Sequence, residues 1–234
     1  MTVFRRRNRK QEDVTADAAA QAAVESGETP EAPARAGGPW DADAAPDDGV
    51  DRLDLGALRV PTLEGTEIRL EADEDGQITS VLLVSEGSAL QIGAFAAPRT
   101  EGIWSEVRGE ILAGIAAESG APREVDGPYG DELQAELDTP DGRQLVRFVG
   151  FDGPRWFLRG VFSGAAGTDA GAAPALDRAL LGTVVVRGGD PLPVRDPLPL
   201  HLPREVLDAQ RAAAEEDERR LTLPERGPEI TETR

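Results

Sequence analysis

Two turn signals one strand apart, Thr139-Pro140-Asp141-Gly142 and Asp152-Gly153-Pro154, divide the stretch from Asp131 to Phe162 into three consecutive antiparallel strands. In the first turn proline presets one φ angle and glycine accepts the positive φ that closes it. A tight connection there sets Glu132, Gln134, Glu136 and Asp138 beside Val149, Arg147, Leu145 and Arg143 on one face. A three-residue loop at the second turn sets Arg147 opposite Arg159 and Phe151 opposite Arg155. Strand side chains alternate, so the other face carries Leu133, Ala135, Leu137, Val146, Phe148, Trp156, Leu158 and Phe162, an apolar surface that has to be covered. The first face is mixed, with acids, arginines and apolar Leu145, Val149, Phe157 and Val161.

The apolar residues that a core requires are scarce outside residues 53–202. Aromatics make up 4 % of the 234 residues, against 26 glycines and 18 prolines. One α+β domain is therefore expected over 53–202. Residues 1–52, with a basic start followed by an acidic, Ala/Pro-rich run, bury too little surface to offset ordering entropy and are expected to be a disordered tail. Trp40 within them is expected to be incidental. Residues 203–234 are expected to be a polar tail, partly helical or disordered.

Within the domain, strands are expected at 57–61, 66–72, 77–85 and 89–95, the third too continuously apolar to be an exposed edge. Thr100 is placed to cap a helix whose apolar stripe is Ile103, Trp104, Val107, Ile111, Leu112 and Ile115. Gly109 and Gly114 weaken that helix and suggest close approach to the sheet. A loop at 125–130 holds the single tyrosine, Tyr129, whose expected role is to anchor the loop on the core. After the meander, Pro174 opens a second helix with Leu176, Leu180, Leu181 and Val184 buried, ended by Gly188-Gly189. The run from Asp190 to Pro203 is too rich in proline for a central strand and is expected to cross the surface extended.

Several chemistries are excluded or made remote by what is missing. With no cysteine, disulfides, thiolate metal sites and cysteine nucleophiles are impossible. Lysine occurs once, at Lys10, and histidine once, at His201, between two leucines, so neither a triad nor a two-imidazole metal site is expected. Asp73-Glu74-Asp75-Gly76 resembles a calcium loop, but the twelfth position is Val84 where a bidentate glutamate is required. No glycine-rich phosphate loop or G-x-S-x-G elbow occurs. Catalytic, cofactor and metal residues are accordingly set at none. A net charge of -19 disfavours nucleic acid, apart from the short basic run Arg5 to Lys10, whose preferred reading is a solvated terminus. With no apolar segment long enough to span a bilayer, a cytoplasmic location is expected.

The remaining candidate is the mixed sheet face. Arg143, Arg147, Arg155 and Arg159, with Phe157, form the expected partner-binding set, since guanidinium forks take carboxylates in bidentate fashion. Internal neutralisation by Glu132, Glu136 and Asp138 is the preferred structural alternative. The expected function is a non-enzymatic binding or adaptor protein with an unidentified protein partner. Its alternatives are an enzyme or small-ligand protein using an arginine/carboxylate pocket, and an anionic-surface or nucleic-acid contact through Arg5 to Lys10.

Asp152-Gly153-Pro154-Arg155-Trp156-Phe157-Leu158-Arg159-Gly160-Val161-Phe162, the Ile103-Trp104 helix start and the segment from Val186-Arg187-Gly188 to Pro197-Leu198-Pro199-Leu200 resemble the uncharacterised actinobacterial DUF3710 family. The resemblance covers residues 50–205 and implies no activity, ligand or site residue. The expected fold is an antiparallel sheet of about six to seven strands with two packed helices, in the order β-β-β-β-α-β-β-β-α, flanked by disordered tails.

Overall fold

The computed structural model describes residues 37–203 except 119, 140 and 141, together with residue 206. The run Arg5 to Lys10, and the helices expected to be possible at 14–24 and 204–220, lie outside the described residues. Strands β1 (Trp40–Asp41), β2 (Arg52–Asp54), β3 (Leu58–Pro61), β4 (Glu67–Ala72), β5 (Ile78–Ser85) and β6 (Ser88–Ala96) precede helix α1 (Trp104–Ala117). There follow β7 (Arg123–Gly127), β8 (Gly130–Thr139), β9 (Gly142–Gly153), β10 (Trp156–Gly164), α2 (Ala165–Thr168), α3 (Pro174–Gly182) and β11 (Val184–Val185). The class is α+β. A seven-stranded antiparallel sheet runs β4-β5-β6-β10-β9-β8-β7, and a smaller sheet runs β1-β11-β3-β2.

Alternation divides the large sheet into two unlike faces. Val81, Leu83, Leu90, Ile92, Leu158 and Phe162 point inward and are 0 % exposed. They meet Leu58 and Val60 of the small sheet and Leu176 and Leu180 of α3 in the main core. On the outer face α1 covers β8 and β9, where Trp104 packs with Leu133, Ala135, Val146 and Phe148. Gly150 makes this packing possible: a Cβ there would come within 2.0 Å of the Trp104 ring. The α1 stripe therefore serves as a cover for half of one sheet face.

The β8/β9 register is the one that the first turn implies, with Gln134 opposite Arg147, Glu136 opposite Leu145 and Asp138 opposite Arg143. The second turn corrects the expectation. Its two central residues are Pro154 and Arg155, with Gly153 opposite Trp156 and Arg155 at φ 61°. Arg147 consequently faces Phe162, Phe151 faces Leu158, and Arg159 faces Gly150. The slip relative to the expected pairing is odd, which exchanges the faces of β10. Trp156, Leu158 and Phe162 join Val149 and Phe151 in the main core, while Phe157, Arg159 and Val161 move to the α1 side. The four arginines expected on one face are not on one face.

Other differences concern single elements. The α1 amides are not capped by Thr100; the Ile103 and Trp104 N–H groups donate to Asp152 Oδ1 at 2.8 and 3.0 Å, across 49 and 48 residues. The expected loop at 125–130 is mostly β7, an edge strand ending in a tight turn between Gly127 and Gly130. Helix α3 stops at Gly182, and Val184 enters the small sheet opposite Arg59. Trp40 is part of the fold: β1 pairs parallel with β11, and the Trp156 indole N–H donates to Asp41 Oδ2 at 2.7 Å. The proline-rich run extends β6 beyond the end of its pairing with β5, through Leu198 N–H to Ala94 O at 2.9 Å and Ala96 N–H to Asp196 O at 2.9 Å.

Gly109 and Gly114 do not approach the sheet. Both are exposed on α1, and a Cβ at either would meet nothing within 4 Å. Replacing each by alanine is expected to raise stability by about 0.5–1 kcal/mol, read as a higher midpoint in chemical denaturation.

Candidate functional site

Arg147 lies on the inner face, 2 % exposed, between β8 and α2. Its Nη1 donates to Glu132 Oε2 at 3.0 Å and its Nε to Ala166 O at 3.4 Å, while Nη2 has no partner among the described residues. The guanidinium carbon stands 4.4 Å from the Phe162 ring centroid and 5.8 Å from that of Tyr129. Glu132, 1 % exposed, also accepts the Tyr129 N–H at 3.1 Å. This ion pair is enclosed by protein and serves the core.

Tyr129 sits in the β7–β8 turn and folds onto the inner face, its ring edge-on to Phe151 at 5.5 Å. Its hydroxyl donates to Asp177 Oδ1 of α3. Burial, followed by the bond and charge of Asp177, pushes the phenol above its ordinary value. Tyr129 anchors its turn on the core. Beside it opens a cleft of about 430 Å³ lined by Gly37, Gly38, Pro128, Tyr129, Phe151 and Leu181 among others. This lining is glycine, apolar and aromatic.

The outer face has different chemistry. Beyond α1, the β4–β5–β6–β10 half of the sheet leaves Leu82, Val84, Gln91, Phe95, Arg159 and Val161 partly exposed, although their inward neighbours are fully buried. Helix α1 rises as a wall beside this floor. Arg159 lies between Gly93 of β6 and Gly150 of β9, so no side chain flanks it directly on either neighbouring strand. Its guanidinium carbon is 5.2 Å from the Phe95 ring centroid, and Phe95 stacks on Phe157 at 4.9 Å. Its Nε is buried and donates to nothing, and among the described residues no carboxylate lies within ion-pair range. Burial pushes the guanidinium below its ordinary value, with no opposing charge to restore it. Three strands away Glu71 Oε2 accepts from Ser80 Oγ at 2.7 Å and from Gln91 Nε2 at 2.5 Å.

The other expected residues go elsewhere. Arg143 is exposed on the inner-face side of β9, 3.5 Å from Glu136 and 3.8 Å from Asp138, the neutralisation foreseen as the structural alternative. Arg155 is in the β9–β10 turn and donates to Gly188 O at 2.7 Å. Phe157 is buried beneath α1 with Ile103. Of the set, Arg159 and Phe157 share the outer face. Phe95, Gln91, Ser80 and Glu71 complete it and were not foreseen; only the strand alternation at 67–72 and 89–95, combined with the correct β10 register, identifies them. His201 is exposed against Gly56. Among the described residues no His/Cys/Asp/Glu group is arranged to hold a metal, and no helix is long and apolar enough to cross a membrane.

The architecture is an α+β unit whose antiparallel sheet carries one closed face and one half-open face. The chain belongs to the family described as "Protein of unknown function (DUF3710)", which it matches over residues 38–209. No curated protein matches it significantly. Similar solved structures include a Bacteroides thetaiotaomicron protein, at 12 % identity and TM-score 0.35 over 58 % of this chain. They also include cyanobacterial PsbP (CyanoP) from Synechocystis, at 10 % identity and TM-score 0.32 over 61 % of this chain and 97 % of that one. The chain spans 48 % of the Bacteroides protein. Likenesses this distant carry no argument about function.

Removing either member of the buried pair leaves an uncompensated charge. Glu132→Leu and Arg147→Leu are each expected to cost about 3–5 kcal/mol, and the double variant less than the sum. Denaturant titration of the three variants checks this; a double variant equal to the sum would mean that the two are not coupled. Tyr129 is the only tyrosine, so phenolate absorbance reports it alone. A phenol whose folded value is raised contributes stability that is intact below the unfolded value of about 10 and falls as pH rises past it. Phenolate is expected to appear only with unfolding, and Tyr129→Phe is expected to flatten the alkaline decline.

Proposed function

We propose that the protein is a binding module that acts through protein–protein contact, seating a segment of its partner on the open outer face with Arg159 as the anchor for a carboxylate. The supporting observation is the half-buried, unpaired Arg159 guanidinium. Desolvating a charge without a counter-ion is unfavourable, whereas the buried arginines Arg147 and Arg108 have Glu132 at 3.0 Å and Glu124 at 2.9 Å. A guanidinium lying over Phe95 with free fork geometry is ready to take a carboxylate in bidentate fashion. The adjoining Leu82, Val84 and Val161 supply apolar contact area around it.

A stability role and a binding role predict opposite results for Arg159. Under the binding role Arg159→Met leaves the denaturation midpoint unchanged or higher, because it removes an unpaired, partly desolvated charge. With the full chain as bait, wild type and Arg143→Gln are expected to recover the same partner, and Arg159→Gln to lose it. Equal recovery by Arg159→Gln, or a lower midpoint for Arg159→Met, overturns the proposal.

A further inference from the structure

Besides the Arg69–Glu67 ion pair of β4, whose side chains share this face, the open floor holds two charges of opposite sign that do not pair with each other. Glu71 is held by Ser80 and Gln91, both neutral, and has no cation within ion-pair range among the described residues. Arg159 leans over Phe95 of β6, which lies on the side of Gly93 opposite Gln91 along that strand. The strand path from Glu71 through β5 and β6 to Arg159 is continuous: Glu71 faces Ser80, Leu82 faces Gln91, Gln91 faces Val161 and Gly93 faces Arg159. Three strand spacings separate the two backbone positions by about 14 Å, roughly four residues of an extended chain. Between the poles lie a polar bridge, Ser80 and Gln91, and apolar Leu82 and Phe95.

We infer that this floor recognises a dipolar peptide segment, one carrying a carboxylate for Arg159 and, about four residues away, a cationic side chain for Glu71. Charge complementarity selects this occupant. An all-acidic segment would meet the Glu71 carboxylate in a chain whose net charge is -19, and an all-basic segment would place a cation on Arg159. A segment with both charges satisfies both poles, and its separation sets the register of the partner on the floor. The inference rests on the reading of the outer face as the docking surface and adds the identity of the second pole.

The test is a calorimetric titration of the full chain with synthetic peptide pools. One pool fixes Asp and Arg four residues apart among randomised positions, a second fixes Asp alone, and a third fixes neither. The dipolar pool is expected to bind about two- to fivefold more tightly than the Asp pool, the gain that one additional partly exposed ion pair provides. Glu71→Gln is expected to erase that difference while leaving the Asp pool unaffected, and Arg159→Gln to abolish binding of both. Equal binding of the dipolar and Asp pools, still dependent on Arg159, overturns the second pole and leaves the Arg159 anchor standing. Absence of any Arg159-dependent binding overturns both.

Discussion

Five pieces of the structure meet at the Arg147 side chain. It rises from β9, pairs with Glu132 of β8, reaches the Ala166 carbonyl of α2, and lies against Phe162 of β10 and Tyr129 of the β7–β8 turn. Through Tyr129 the same cluster reaches Asp177 of α3. A guanidinium can do this because its donors point in several directions in one plane while its faces accept aromatic rings. The charge is tolerable at 2 % exposure because a carboxylate of equal burial is bonded to it. An apolar residue at 147 could pack here but could not tie the helix carbonyl and the strand acid to one point.

The contrast with Arg159 separates the closed face from the open one. Both arginines lie on adjacent central strands, both stand over aromatic rings, and both lose water. Only Arg147 has its charge answered from within the fold. The difference follows from the faces: the inner face is closed by the small sheet and α3, so polar groups there need partners, whereas α1 covers β8, β9 and the Phe157 end of β10 but not the β4–β5–β6 part of the outer face. Gly93 and Gly150 beside Arg159 carry no side chain of their own, and the Phe95 and Trp104 rings stand over them.

What could be read from the residues depended on which level decides each feature. Strand alternation and the Thr139-to-Gly142 turn are local, and the β8/β9 register, the helix stripe of α1 and the proline start of α3 follow from them. The β9–β10 turn is not local in the same way. Arg155 takes a positive φ that favours glycine or asparagine, and it is held there by long-range bonds, its side chain to Gly188 O and its carbonyl from Arg187 Nε and the Ala97 N–H. Nothing within the turn itself announces those partners, and choosing the three-residue loop exchanged the two faces of β10. The same reason hid Trp40, whose strand exists only because β11 lies beside it, and Asp152, whose capping of α1 spans 49 residues.

Both edges of the large sheet are charged. β4 ends the sheet with exposed Glu67 and Arg69, and β7 ends it at the other side with exposed Arg123, Glu124 and Asp126. Charged edge strands oppose the addition of another strand, because an incoming backbone would have to desolvate them. On the open floor the apolar residues are half-buried, Glu71 and Arg159 lie at its two sides, and Glu67 and Arg69 on the same face answer each other's charge. Strand addition would also leave Arg159 untouched, since it sits three strands in from β4. A ligand laid across the strands from the open side, as proposed, would meet the arginine without breaking any backbone bond of the sheet, whereas one added at an edge would not reach it.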